Sequence, residues 1–215
     1  MKELRCTLIC DGPSDVALIP VLAWLLRQHC PGYFARWRWA DLARLKRPPS
    51  HLPDKIVAAV RLHPCDLLFV HRDAEREPRE TRVREIEEAV WEVERAYPVP
   101  PIVRVVPVRM QEAWLLFDEA AIRSAAGNPT GRSPVRLPAS SQVEAEPNPK
   151  AVLNAAIREA SELSERRKRK LNVAERARGV AKYIDDFAPL RELSAFAALE
   201  AELRTIVTGQ GWQTA

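Results

Sequence analysis

The six residues 66–71, Asp-Leu-Leu-Phe-Val-His, constrain the fold of this chain more than any other segment. Four consecutive apolar side chains leave no polar face for water, and the run is too short for a buried helix. Such a run belongs in a strand covered on both faces, as an inner strand of a parallel sheet is. The next segment has another period. Val83, Ile86, Val90, Val93 and Tyr97 fall at steps of 3, 4, 3 and 4, which is one helix face, so residues 79–97 are expected to be helical. Pro98, Pro100 and Pro101 end that helix.

The same pairing of a short apolar run with a longer amphipathic one recurs along the chain. Residues 4–10 read as strand and 16–29 as helix, capped by Ser14 or Asp15, with Pro20 expected to kink that helix or delay its start. Residues 36–42 read as strand, the proline-rich 46–53 as loop and 54–62 as helix. Residues 102–108 read as strand and 111–124 as a helix that buries Trp114, Leu115, Phe117 and Ile122. Strands alternating with helices make right-handed βαβ crossovers, so the fold class is α/β, a mostly parallel sheet of about four strands flanked by helices. Over residues 127–149 composition turns to Pro, Ser, Gly and Asn, the marks of a long loop. Residues 150–207 carry no strand signal and read as a helical part packed on the α/β domain of residues 1–126, followed by a tail at 208–215.

Hydrophobic residues at 47% and charged residues at 29% exclude a wholly disordered chain, a collagen and a coiled-coil rod. The longest uncharged run, residues 16–26, is too short to span a bilayer and contains Pro20. Residues 1–5 lead straight into a strand with no leader pattern, so a cytoplasmic protein with no membrane partner is expected. Cys6, Cys10, Cys30 and Cys65 include no C-x-x-C pair. Cys6 and Cys10 on one strand would stand about 13 Å apart, beyond disulfide reach. Four buried, reduced thiols are expected.

Net charge is +4, but its distribution is uneven. Residues 150–178 hold nine Lys/Arg against four Asp/Glu, an excess of five that leaves −1 for the rest of the chain. Its centre is Arg166, Arg167, Lys168, Arg169 and Lys170. Such a run either meets phosphates or forms a solvated helix face.

In a parallel α/β sheet, sites form beyond the carboxyl ends of the strands. Three inferred strand ends carry acids: Asp11 and Asp15 after the first, Asp73 and Glu75 after 66–71, and Glu112, beside Gln111, after 102–108. If these strands are neighbours, five carboxylates converge on one edge. Clustered carboxylates repel one another unless protonated or bridged by a cation, and hard oxygen ligands suit Mg²⁺ or Mn²⁺. Singly, each acid is also readable as a helix cap or solvated surface. Arg72 and Arg109 flank the acids, placed either to hold phosphate or to neutralise neighbouring carboxylates. His71 ends the central strand and either lines this edge or is a structural histidine. Trp37 and Trp39 alternate with Arg36 and Arg38, a pattern that suits stacking on unpaired bases, yet they share one strand face and are expected to be buried. Trp24, Trp91 and Trp114 lie in amphipathic helices and are expected in or near the core, while Tyr183 has no role legible from sequence. No P-loop, no G-x-G-x-x-G after a strand and no G-x-S-x-G elbow occurs.

Asp11-Gly-Pro-Ser-Asp15 resembles the E-G-x-x-D element of TOPRIM domains, and His71-Arg-Asp-Ala-Glu75 resembles their D-x-D element. Met110-Gln-Glu-Ala-Trp-Leu-Leu-Phe-Asp118 and Asn148-Pro-Lys-Ala-Val-Leu153 are similar to a bacterial TOPRIM-like family, domain of unknown function 4276, related to the TOPRIM domains of overcoming-lysogenization-defect nucleases. The resemblance covers residues 4–203. It implies a TOPRIM-like Rossmannoid fold and Mg²⁺-dependent phosphodiesterase or nuclease activity in a phage-defence setting. Nucleic acid, and an ATPase or other defence protein, would be the partners. The strand-end positions and the resemblance together make Asp11 and Glu112 the catalytic candidates and Asp11, Asp15, Asp73, Glu75 and Glu112 the metal candidates, while position and charge make Arg72, Arg109 and the run 166–170 the expected phosphate contacts. Two positions depart from the pattern: Asp11 stands where TOPRIM domains carry Glu, and Glu75 where they carry Asp. Each swap keeps a carboxylate and changes its reach by one methylene, which leaves two other readings open: a catalytically weak nucleic-acid-binding or assembly component, and a small nucleotide phosphohydrolase.

Overall fold

The computed structural model describes residues 1–213. Four strands, β1 (Lys2–Ile9), β2 (Tyr33–Trp39), β3 (Leu67–His71) and β4 (Ile102–Val105), lie in the order β2-β1-β3-β4, every neighbouring pair parallel. This is the Rossmann-like α/β sheet that the alternating pattern calls for. β3 sits between β1 and β4, and all five of its residues are buried. Its side chains alternate between two cores: Leu67 and Phe69 face one, Leu68 and Val70 the other. β2 is an edge strand, with Phe34, Arg36 and Arg38 exposed and Trp37 packed on Phe69, ring centroids 5.0 Å apart and planes tilted by 40°.

Eight helices follow in chain order among the described residues: α1 (Leu18–His29), α2 (Leu52–Leu62), α3 (Arg79–Glu94), α4 (Glu119–Ala126), α5 (Pro149–Ala160), α6 (Glu165–Lys168), α7 (Val173–Gly179) and α8 (Ser194–Gly209). Helices α2 and α3 cover one sheet face through Ile56, Ala59, Ile86 and Val93. The other face packs against α1, α5 and α8 in one continuous core that runs from Leu4 to Val207. Trp114 meets Phe196 edge-on at 5.5 Å, and Trp24 meets Phe187 at 6.1 Å, so the C-terminal helices share the sheet's own core.

Several boundaries differ from expectation for local reasons. A 3-10 turn (Pro13–Ala17) precedes α1, and Pro20 falls in the first turn of α1, where its missing N–H has no helical partner to lose. Thus Pro20 delays the helix and does not kink it. Pro53 is the second residue of α2, which therefore begins inside the expected loop. The expected helix 111–124 is two pieces, a 3-10 turn (Gln111–Leu115) and then α4. Asp118 separates them by accepting the Ala121 N–H at 2.9 Å, and Gly127 closes α4 at φ 82°. Trp91 is 63% exposed, not in the core, and Arg95 lies over its ring at 4.8 Å. The buried stripe of α3 is Ile86, Ala89 and Val93, and Trp91 points about 140° away from Ile86 at 100° per residue. Helix α8 continues through Thr208, and Trp212 packs on Tyr33 at 6.3 Å. Thr214 and Ala215 of the expected tail lie outside the described residues. The four cysteines are free, but only Cys6 and Cys30 are buried; Cys10, just past the end of β1, and Cys65, just before β3, are half-buried. No helix among the described residues is long and apolar enough to cross a membrane.

Candidate functional site

The strand order brings the carboxyl ends of β1, β3 and β4 side by side, and with them the three acid-bearing loops. The loops after β3 and β4 are zipped together by backbone bonds from Arg72 to Val105, Ala74 to Pro107 and Glu75 to Arg109. Two residues there adopt left-handed backbone, Glu75 at φ 56° and Arg109 at φ 61°. Neither is glycine, so each carries strain of about 1–3 kcal/mol, of the kind that collects at functional sites. These turns lie just after Asp73 and just before Gln111, and the Gln111 N–H donates to Asp73 Oδ1 at 3.0 Å.

Four titratable side chains converge: Asp15, His71, Asp73 and Glu112. Asp15 is buried and held by three donors. Gly12 N–H reaches its Oδ2 at 3.0 Å, and Ser14 Oγ and Gln111 Nε2 each reach its Oδ1 at 2.8 Å. His71 is buried with its Nδ1 2.9 Å from the Val105 carbonyl, so Nδ1 carries the donated proton and Nε2 presents its lone pair to the acids. That Nε2 stands 3.4 Å from Asp73 Oδ1 and 3.9 Å from Asp15 Oδ2. Burial pushes the His71 pKa down, against the opposing pull of Asp15. Burial also pushes Asp73 up to about 7, helped by the charges of Glu112 and Asp15 and opposed by the Gln111 amide. Glu112 is raised as well, chiefly by burial, while Lys150, 3.9 Å from its Oε1, pulls the other way.

The cluster therefore concentrates three carboxylates around a neutral imidazole, with Lys150 as the one cation paired to any of the three acids among the described residues. The buried Gln111 Oε1 has no partner there. A negative, oxygen-rich pocket with an orphaned carbonyl oxygen is the donor chemistry that a hard divalent cation satisfies. Among the described residues no group of three or more His, Cys, Asp or Glu side chains is arranged to hold a metal ion.

The remaining sequence candidates lie around this cluster. Asp11 is half-exposed and turned aside, 3.0 Å from both Lys55 Nζ and Arg72 Nε. Arg72 is thereby engaged, with Glu85 at 3.7 Å as a second partner. Glu75 is exposed and 3.8 Å from Arg82. Arg109 is half-buried at the rim and has no ion pair among the described residues. Of the basic run, Arg166, Arg167 and Arg169 are exposed, Lys168 pairs with Glu165 at 3.0 Å, and Lys170 lines a large groove. The structure adds Gln111, Lys150 and Ser14 to the site. Lys150 arrives because Asn148 caps α5 by accepting the Ala151 N–H, which sets Lys150 on the first turn beside Glu112. A cavity of about 210 Å³ opens beside the acids, with Gln111, Glu112, Lys150, Asn154 and Arg178 in its wall.

No family model, no curated protein and no solved structure matches the chain.

Proposed function

We propose that this chain is a divalent-cation-dependent phosphodiesterase that cleaves nucleic acid, of the TOPRIM-like kind its motifs resemble. The observation that carries this reading is the convergence of buried Asp15 and Glu112 and half-buried Asp73 beside His71, with a single lysine against three carboxylates. Asp73 and Glu112 would hold Mg²⁺ or Mn²⁺, with Asp15, already fixed by Gly12, Ser14 and Gln111, as the third carboxylate. Bound there, such an ion activates water and stabilises charge on a transferring phosphoryl group. His71, neutral and locked in one tautomer by Val105, is placed to accept a proton at Nε2. Lys150 and Arg178 line the adjoining cavity and are suited to phosphate oxygens. Asp11 is left as a surface partner of Lys55 and Arg72, and Glu75 as a rim residue. A cytoplasmic, bacterial defence setting with an ATPase companion follows from the family resemblance.

The test is incubation of purified protein with plasmid, single-stranded DNA and RNA in Mg²⁺, Mn²⁺ or EDTA. Cleavage should require the cation and disappear in Asp73→Asn and Glu112→Gln. Cleavage that persists in EDTA, or no cleavage of any nucleic acid, would contradict the proposal.

A further inference from the structure

A groove of about 1330 Å³ runs between the 3-10 turn before α1, the carboxyl end of β2, and the segment holding α7. It exceeds the roughly 300–1,000 Å³ of a site built for one small molecule. Its floor is apolar, with Val16, Ala17, Ile19 and Pro20. Five cations line it, Arg44, Lys170, Arg176, Arg178 and Lys182, against two acids, Asp41 and Glu175. Both acids are occupied: Asp41 pairs with Arg44 at 2.6 Å, and Glu175 accepts from Asn172 at 3.0 Å. Lys170 and Lys182 make no ion pair among the described residues, and Arg176 and Arg178 donate to the backbone carbonyls of Ala125 and Ala174, so no acid there neutralises these four charges.

Two aromatic residues share this groove. Trp39, at the end of β2, is half-buried and keeps part of its surface in the groove wall. Tyr183, at the end of the 3-10 turn Val180–Tyr183, is 51% exposed. An exposed aromatic side chain on a soluble surface gains from covering its face, and unpaired bases offer that cover. A duplex does not, because its bases are already stacked on one another. Cations alone would serve either form of nucleic acid; cations interleaved with aromatic side chains favour the unpaired one. The groove also shares Pro13, Ala17 and Arg178 with the cavity beside Glu112, so a strand lying in it passes the acid cluster.

We propose that this groove binds single-stranded nucleic acid, phosphates on the lysine and arginine rim and bases against Trp39 and Tyr183. The assignment deepens the phosphodiesterase reading and rests on it for what happens to the strand once bound; binding itself needs no cation in the acid cluster. The test is therefore run in EDTA. Fluorescence anisotropy compares labelled dT and rU oligonucleotides with a duplex of equal length, over a series of salt concentrations. Single strands should bind more tightly than duplex, and the tighter of the dT and rU arms identifies the natural sugar. Tyr183→Ala, an exposed position that leaves the core untouched, should weaken binding about tenfold. The triple variant Arg44→Gln, Lys170→Gln, Lys182→Gln should flatten the log–log salt slope by about 2, at about 0.7 per lost contact on a single strand. Calorimetry with Mn²⁺ on both variants should match the wild type, since none of these residues belongs to the acid cluster. Equal or tighter duplex binding, unchanged affinity in Tyr183→Ala, or an unchanged slope in the triple variant would overturn the groove assignment, even if cation-dependent cleavage is found. Single-strand binding in EDTA with no cleavage in Mg²⁺ or Mn²⁺ would uphold the groove and reject the phosphodiesterase.

Discussion

Replacing Asp73 by Asn removes a charge from the acid cluster and keeps an oxygen for the Gln111 N–H. In the folded chain, burial first and then the charges of Glu112 and Asp15 hold Asp73 up to about 7, above its ordinary 3.8. Below the ordinary value both folded and unfolded chains carry the proton, and the cluster costs nothing on this account. Between the two values the folded chain keeps a proton that the unfolded chain has released, so stability falls as pH rises through that window. Above about 7 the whole penalty is present. A shift of that size corresponds to about 4 kcal/mol. The side chain is 28% exposed, and solvent screening brings the effect to about 2–3 kcal/mol. In EDTA near pH 8, Asp73→Asn should therefore be more stable than wild type by about 2–3 kcal/mol, which is a gain of roughly 4–12 °C in Tm for a chain of this length. Near pH 4 the two should agree to within about 0.5 kcal/mol. Urea and thermal melts at both pH values measure the difference. A variant no more stable than wild type near pH 8 would show that the carboxylates do not strain one another, and the reason for placing a cation among them would be gone.

Other outcomes follow from single contacts. Trp114→Ala should cost about 3–5 kcal/mol in urea unfolding, because Trp114 is buried between the site turn and Phe196 of α8. Asp118→Ala should cost about 1 kcal/mol through loss of the α4 cap, read by the same melts. Asp11→Asn should leave Mn²⁺ affinity by calorimetry as in wild type, since Asp11 faces Lys55 and Arg72. Weakened Mn²⁺ binding in that variant would return Asp11 to the cluster.

The sheet and its site edge were legible in the sequence because they rest on local pattern. The uninterrupted apolar run of β3 marks an inner strand, and the strand order then brings the three acid-bearing ends together. Which acids turn inward was not legible, because that depends on partners far along the chain. Asp15 is drawn in by Gln111, 96 residues on, while Asp11 is drawn out by Lys55, 44 residues on. Glu75 has the spacing of a D-x-D element, but a left-handed turn with no glycine to announce it carries its side chain to the surface. His71 was only a candidate, since a strand-end histidine faces either core or site; the Val105 carbonyl decides the matter by fixing its ring. Trp91 shows the opposite failure. The step pattern of α3 already excludes it from the buried stripe, and its size alone suggested the core.

Isothermal titration calorimetry with Mn²⁺, on metal-free wild type and Asp73→Asn at a pH just below 7, where free Asp73 still holds its proton, tests the central claim most directly. Wild type should bind the cation and release protons as Asp73 ionises, and Asp73→Asn should show neither the binding nor the release. Equal Mn²⁺ affinity in the two proteins, or no binding to wild type, would mean that the acids beside His71 are not a cation site.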